Sequence, residues 1–185
     1  MKEVVFMKVI SGKLKGRSIE GFNIEGTRPT MDRVKESLFA TIQDSISESI
    51  CLDLFSGSGN LGIEAISEDA KYSYLVDNNK KAINIIKNNV LKLGIDNCVN
   101  ILNMDYKKAI ESLKNVKFDI IFLDPPYKTN YIEESIKLIT KYNVLRDNGI
   151  IICESDSLDR IIYDGYKEIK SKKYGDKFIV ILTKI

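Results

Sequence analysis

Four consecutive residues, Asp124-Pro125-Pro126-Tyr127, concentrate chemistry at one point of the chain. Two prolines in a row fix φ and remove two backbone donors, so the loop is stiff and presents carbonyls rather than N–H groups. A carboxylate, a bare carbonyl and an aromatic face converge there, which suits a planar amine. The lone pair of such an amine is delocalised into its ring, which makes the nitrogen a poor nucleophile. The Asp124 carboxylate and the Pro125 carbonyl can both accept from its N–H bonds and draw the nitrogen toward tetrahedral geometry, while Tyr127 stacks on the ring and aims it. Positive charge growing on the nitrogen is stabilised by the carboxylate. The alkylated nitrogen is acidic enough to lose its proton to Asp124 or to water, so no strong base is required. The chain has no histidine, which removes the commonest general base and the commonest metal ligand. A rigid structural turn is the competing explanation of the same four residues.

A second constellation lies upstream. In Asp53-Leu54-Phe55-Ser56-Gly57-Ser58-Gly59-Asn60-Leu61-Gly62, the glycines match G-x-G-x-x-G, and Asp77 follows Gly57 by twenty residues. Alone, this is the fingerprint of a nicotinamide dinucleotide site, since glycines permit positive φ and close backbone approach to a ligand. Asp53 argues against it. An unpaired carboxylate at the strand end repels a pyrophosphate docking on the helix N-terminus and attracts a cationic ligand. S-adenosylmethionine, with its sulfonium and α-ammonium, is such a ligand.

These residues need a scaffold, and hydrophobic periodicity supplies one. Residues 50–54, 72–76, 98–102, 118–123 and 149–153 read as buried strands. Helices are predicted between them over about 61–70, 79–93, a short stretch after Tyr106, and 132–142. Near-continuous apolar strands alternating with amphipathic helices imply a mostly parallel sheet covered on both faces. Residues 166–170 and 178–182, joined by a turn at Gly175, imply an antiparallel edge hairpin. The candidate residues all fall just past strand ends, where ligands bind in such sheets. Before this unit, 8–12 and 17–19 read as short strands. Thr30–Ile46 reads as a helix with Met31, Val34, Leu38, Ile42 and Ile46 on one face, capped by Thr30 behind Pro29.

Composition narrows the class. At 185 residues, with 44% hydrophobic and 29% charged, the chain suits one α/β domain with a short appendage. No apolar run is long enough to span a bilayer, and the first seven residues are too short and charged for a secretory signal; Met7 is an alternative start. Cys51, Cys98 and Cys153 are odd in number and scattered in apolar runs, which implies core residues in a reducing compartment. The net charge of +2 is uninformative, but two segments are basic: Lys8, Lys13, Lys15 and Arg17, and Lys167, Lys170, Lys172, Lys173 and Lys177. Each can be a solvated face or a nucleic-acid contact.

With the acids Asp53, Asp77 and Asp105 each just past a successive strand, the chain resembles the class I methyltransferases. That resemblance implies S-adenosylmethionine as cofactor. Asp53 and the loop of Phe55, Gly57, Ser58, Gly59 and Leu61 would hold its methionine end, Asp77 with Asn78 the ribose hydroxyls, and Asp105 with Tyr106 the adenine. Asp-Pro-Pro-Tyr resembles the motif of amino methyltransferases acting on adenine N6, guanine N2 or glutamine N5. Val9-Ile10-Ser11-Gly12-Lys13-Leu14-Lys15-Gly16-Arg17, Thr27-Arg28-Pro29-Thr30-Met31-Asp32-Arg33-Val34-Lys35-Glu36-Ser37-Leu38-Phe39 and Lys173-Tyr174-Gly175-Asp176 are similar to the RsmD family. Ser56, Asn60 and Lys177 depart from its pattern, where small residues stand at the first two positions and threonine at the third.

The resemblance implies a Rossmann-like fold with a mostly parallel seven-stranded sheet, an antiparallel edge hairpin, and a small N-terminal β-hairpin and helix. It divides the chain into a basic extension, 1–29, and a methyltransferase domain, 30–185. It implies a bacterial enzyme that methylates N2 of a guanine in 16S rRNA, in the small ribosomal subunit or a late precursor. Asp124, Pro125, Pro126 and Tyr127 would be catalytic; Lys13, Lys15, Arg17, Arg28, Thr30 and Arg33 would contact RNA. A cytoplasmic monomer without metal is expected. A DNA adenine-N6 enzyme and a non-catalytic RNA-binding relative are the alternatives; the first needs a target-recognition region for which the chain has little room.

Overall fold

The computed structural model describes residues 5–22 and 28–185, residues 28–30 by their backbone alone. Strands β1 (Phe6–Lys8) and β2 (Ser18–Glu20) form an antiparallel pair with Met7 opposite Ile19. Helix α1 (Arg28–Ile42) leads into the main unit: β3 (Ile50–Asp53), α2 (Asn60–Ser67), β4 (Tyr72–Asp77), α3 (Lys80–Leu93), β5 (Val99–Asn103), α4 (Tyr106–Ser112), β6 (Phe118–Leu123), α5 (Tyr131–Tyr142), β7 (Leu145–Ser155), β8 (Tyr166–Tyr174) and β9 (Lys177–Lys184).

The seven strands run in the order β5-β4-β3-β6-β7-β9-β8. β3 through β7 are parallel, and β9 is antiparallel to both β7 and β8. From β3 the chain winds outward through β4 to β5, then returns to β6 and winds the other way. The order reverses between β3 and β6, and that is where such sheets bind ligands. This is the Rossmann-like class I methyltransferase architecture, edge hairpin included.

Both faces are covered, which is why β6 is apolar at every position but Asp119. On one face α1, α2 and α3 bury Val34, Leu38, Phe39, Ile63, Ile86 and Val90 against Ile120, Phe122 and Ile152. Phe39 stacks on Phe122 with centroids 6.0 Å apart. On the other face α4 and α5 bury Ile110, Ile132, Ile136 and Ile139 against Ile121, Leu123 and Ile151. Each such side chain contributes about 1.5–3 kcal/mol on burial. Cys51 and Cys153 are buried and all three thiols are free. Among the described residues no helix is long and apolar enough to cross a membrane.

Three local expectations are corrected. Helix α1 begins at Arg28, not Thr30, with Pro29 in its first turn; a proline there forfeits no hydrogen bond, so it need not delay the helix. The first strand is Phe6–Lys8 rather than 8–12, because residues Gly12–Leu14 turn tightly onto α2. Gly12 has φ +73°, and a Cβ on it would lie 1.9 Å from the Ser67 carbonyl oxygen. Strand β7 begins at Leu145, ahead of the expected 149, with a register shift against β6.

The N-terminal segment is bolted to the main unit by a buried polar network. Both oxygens of Glu64 on α2 accept from Ile10 N–H, at 2.9 and 3.1 Å, and Oε1 also accepts from Ser11 N–H at 2.9 Å. Lys35 pairs with Glu64 at 2.7 Å, both almost fully buried, and donates to the Lys8 carbonyl and to Asn60 Oδ1. Val9 and Ile19 enter the same core as α1 and α2. Lys35 is thus the internal cation of this joint.

Candidate active site

A cavity of about 700 Å³ opens at the β3/β6 switch point, within the usual range for a small-molecule site. Asp53 forms its floor. The side chain is 1% exposed, and its Oδ2 accepts from Gly62 N–H at 3.2 Å, which caps the N-terminus of α2. Among the described residues its buried Oδ1 has no hydrogen-bond partner. Burial, and to a lesser degree the neighbouring Asp77 carboxylate, push Asp53 from 3.8 to about 7. A buried carboxylate with an open lone-pair site is made for a cation or an N–H donor.

The three glycines divide the work. Gly57 and Gly59 take φ +57° and +84°. Gly62 lies where a Cβ would come within 2.1 Å of Leu75, so its absence lets α2 approach β4. Ser56, a departure from the family pattern, ties the loop to β4: its hydroxyl donates to the Asp53 carbonyl at 2.7 Å and accepts from Val76 N–H at 2.9 Å. Asn60, the second departure, supplies one of the acceptors for Lys35.

Asp77 and Asp105 flank the next stretch of wall, each partly committed. Asp77 accepts from Gly57 N–H at 2.9 Å and Asn79 N–H at 2.8 Å, one per oxygen. Asp105 caps α4 through Lys107 N–H at 2.9 Å. Carboxylate oxygens carry two acceptor sites each, so both residues retain capacity for a ligand. Phe55 and Tyr106 line this wall together with Tyr131, which sequence reasoning did not single out. The Phe55 and Tyr131 rings are stacked at 6.0 Å, and Tyr106 lies 5.2 and 4.8 Å from them. The Tyr106 hydroxyl is anchored on Glu134 of α5. Ser58, Leu61 and Asn78 also line the cavity, whereas Gly59 does not.

Asp124, Pro125, Pro126 and Tyr127 form the opposite wall, so the two constellations meet in one cavity. Burial and the Glu154 carboxylate hold Asp124 well above the usual carboxylate range, with Lys177 pulling the other way. Glu154 is the penultimate residue of β7 and Lys177 opens β9. Glu154 Oε1 accepts from Lys177 Nζ at 2.5 Å and from the Tyr127 hydroxyl at 3.2 Å, and Lys177 sits 5.4 Å from the centre of the Tyr127 ring. Neither residue was predicted for the site. Lys177 stood out as a departure from the family pattern and as one member of the second basic segment, and Glu154 carries no local signal, since only the sheet order brings β7 and β9 together.

The two basic segments fall on different edges. The β8–β9 turn lies at the cavity edge and delivers Lys177, while Lys170 and Lys172 donate to Thr41 and Ser37 of α1. The N-terminal hairpin reaches the other end of α2, roughly 12 Å away for eight helical residues. There Lys13 pairs with Asp69 at 3.3 Å and Arg17 donates to the Lys92 carbonyl at 3.0 Å, while Lys15 is exposed. Arg33 is exposed on α1 and does not line the cavity. The side chains of Arg28 and Thr30 lie outside the described residues. Among the described residues no cluster of three or more His, Cys, Asp or Glu could hold a metal ion.

Comparison with known proteins identifies the family. The model of the family described as conserved hypothetical protein 95 matches residues 7–183. The ribosomal RNA small subunit methyltransferase D of Haemophilus influenzae is 37% identical over 174 residues, which covers 91% of this chain and 89% of that protein. Its namesake from Buchnera aphidicola (subsp. Acyrthosiphon pisum) is 39% identical over 154 residues, 83% and 80% of the two chains. The solved structure of the yhhF protein of Escherichia coli superposes with a TM-score of 0.87 at 27% identity, over 97% of this chain and 98% of that one. On this match the chain belongs to the conserved hypothetical protein 95 family, the family of the small-subunit ribosomal RNA methyltransferases D.

Proposed function

We propose that the chain transfers a methyl group from S-adenosylmethionine to the exocyclic N2 amine of a guanine in 16S rRNA, within the small ribosomal subunit or a late precursor. Family membership makes it an rRNA methyltransferase. The observation that carries the specific reading is the meeting, in one cavity, of a buried carboxylate with an open oxygen and the Asp-Pro-Pro-Tyr loop.

The residues present fit the cofactor. The open Oδ1 of Asp53 suits its ammonium, the spare acceptor sites of Asp77 its ribose hydroxyls, and Asp105 its adenine amine, with Phe55, Tyr106 and Tyr131 as the apolar surround. When bound, S-adenosylmethionine supplies an electrophilic methyl group on a cationic sulfur. Asp124 and the Pro125 carbonyl accept from the guanine N2–H bonds and hold the nitrogen lone pair toward that group; Tyr127 stacks on the base. Asp124, raised by burial in the ligand-free protein, ionises more readily beside a cationic cofactor and can take the departing proton. The base must leave its stack to reach the cavity.

The test uses small subunits lacking the modification and methyl-labelled S-adenosylmethionine, followed by digestion and nucleoside analysis. Label in N2-methylguanosine with wild type, lost by at least about a hundredfold in Asp124→Ala, is expected. Cofactor affinity in that variant should stay within several-fold of wild type. Label in a different nucleoside would overturn the target; equal loss of cofactor binding and turnover would make Asp124 a cofactor ligand instead.

A further inference from the structure

The reaction needs an amine, but guanine, adenine and cytosine all carry one, and Asp-Pro-Pro-Tyr does not distinguish among them. What lies beside the loop does. Guanine presents along one edge the N2–H donors, the N1–H donor and the O6 acceptor, in that order. Adenine presents an N1 acceptor next to an N6 amine, so the two patterns oppose each other at adjacent positions. A protein that reads guanine on this edge needs an acceptor beside the amine site and then a donor.

Beside Asp124 the cavity holds these two groups. Glu154 is 14% exposed; among the described residues its Oε1 accepts from Lys177 and the Tyr127 hydroxyl, and its Oε2 receives no hydrogen bond. Lys177 is 31% exposed and has three N–H bonds, of which Glu154 takes one. Their strand register makes them a diagonal pair across β7 and β9, since Glu154 faces Ile179. Diagonal pairs are ordinary sheet furniture, but this one lines the ligand cavity and touches the residue expected to stack on the base. Tyr127 is thereby fixed in relation to both groups.

We propose that Glu154 and Lys177 are specificity-determining residues: Glu154 accepts from guanine N1–H and Lys177 donates to O6, while Asp124 and the Pro125 carbonyl hold the N2 amine. This rests on the guanine-N2 reading above. With its amine held at the same site, adenine or cytosine would set an acceptor nitrogen against the Glu154 carboxylate, and adenine would offer Lys177 only a C–H bond, leaving polar groups unsatisfied.

The probe is 2,6-diaminopurine, which keeps the N2 amine but replaces N1–H with an acceptor and O6 with an amine. Small subunits are reconstituted on 16S rRNA carrying either guanosine or diaminopurine riboside at the mapped target, and kcat/KM is measured on each with the full-length protein. Wild type should prefer guanine by at least about a hundredfold. Glu154→Gln, whose amide can donate to the diaminopurine N1, should narrow the ratio by at least about tenfold, with activity on diaminopurine rising in absolute terms. Lys177→Met should lower kcat/KM on guanine by at least about tenfold and spare diaminopurine. A structural role alone would depress both substrates together. Equal wild-type activity on the two particles overturns the proposal whatever the variants do, and so does an unchanged ratio in both variants. No product on the guanine particle would overturn the functional reading itself, and this proposal with it.

Discussion

Asp53→Asn should make the ligand-free protein more stable while impairing cofactor binding. Burial moves the Asp53 carboxyl from 3.8 to about 7. At 1.36 kcal/mol per unit, keeping it ionised costs the fold roughly 4 kcal/mol near pH 8. The sign follows from linkage: the folded state binds this proton more tightly than the unfolded one. Its favourable contribution is therefore intact below about 3.8 and lost as pH rises through about 7. Asparagine carries no charge to desolvate, but its amide N–H bonds would find no acceptor where Oδ1 now sits, at about 1–3 kcal/mol. The net gain near pH 8 is then about 1–3 kcal/mol, or about 2–10 °C in Tm for a chain this size. Near pH 5 most of the advantage disappears, because aspartate there is largely protonated. Thermal unfolding from about pH 5 to 8 measures this directly. Calorimetric titration with S-adenosylmethionine supplies the other half: wild-type affinity should fall by up to about tenfold per unit below pH 7, and the variant should bind more weakly without that dependence. A variant that melts at or below wild type at every pH and still binds normally would refute the assignment of a buried cation-seeking carboxylate.

Two further outcomes concern the N-terminal segment. Glu64→Ala removes the partner of a buried lysine and the acceptor for two backbone N–H groups, so it should cost about 3–5 kcal/mol in chemical denaturation; protection of the Ile10 and Ser11 amides from hydrogen exchange should collapse with it, and retained protection would mean the joint holds without the charge pair. Neutralising Lys13, Lys15 and Arg17 together should lower the salt slope of small-subunit binding by up to about one per lost phosphate contact, provided the RNA passes the edge of the sheet away from the cavity; an unchanged slope would remove them from the RNA interface.

Much of this protein is legible in its sequence because the governing physics is local. The order of strands and helices follows from hydrophobic period. The positions of Asp53, Asp77, Asp105 and Asp124 just past strand ends, and the stiffness of Asp124-Pro125-Pro126-Tyr127, need only the chain itself. That is why the cofactor and amine constellations could be named before any fold was known, and why a common ligand cavity could be expected at the carboxyl ends of the strands.

What only the tertiary structure decided depends on contacts between distant segments. The helix carrying Lys35 shows no sign that Glu64, 29 residues later, will bury it. Tyr131 and Glu134 join Phe55 and Tyr106 because α5 crosses near α4, a packing choice that no periodicity encodes. Charge alone could not rank the two basic segments; the direction of α2 sends one to the far edge, and the antiparallel placement of β9 brings Lys177 to the cavity. Glu154 and Lys177 meet for the same reason: cross-strand neighbours are set by strand order and register, and these belong to the folded sheet rather than to any stretch of sequence.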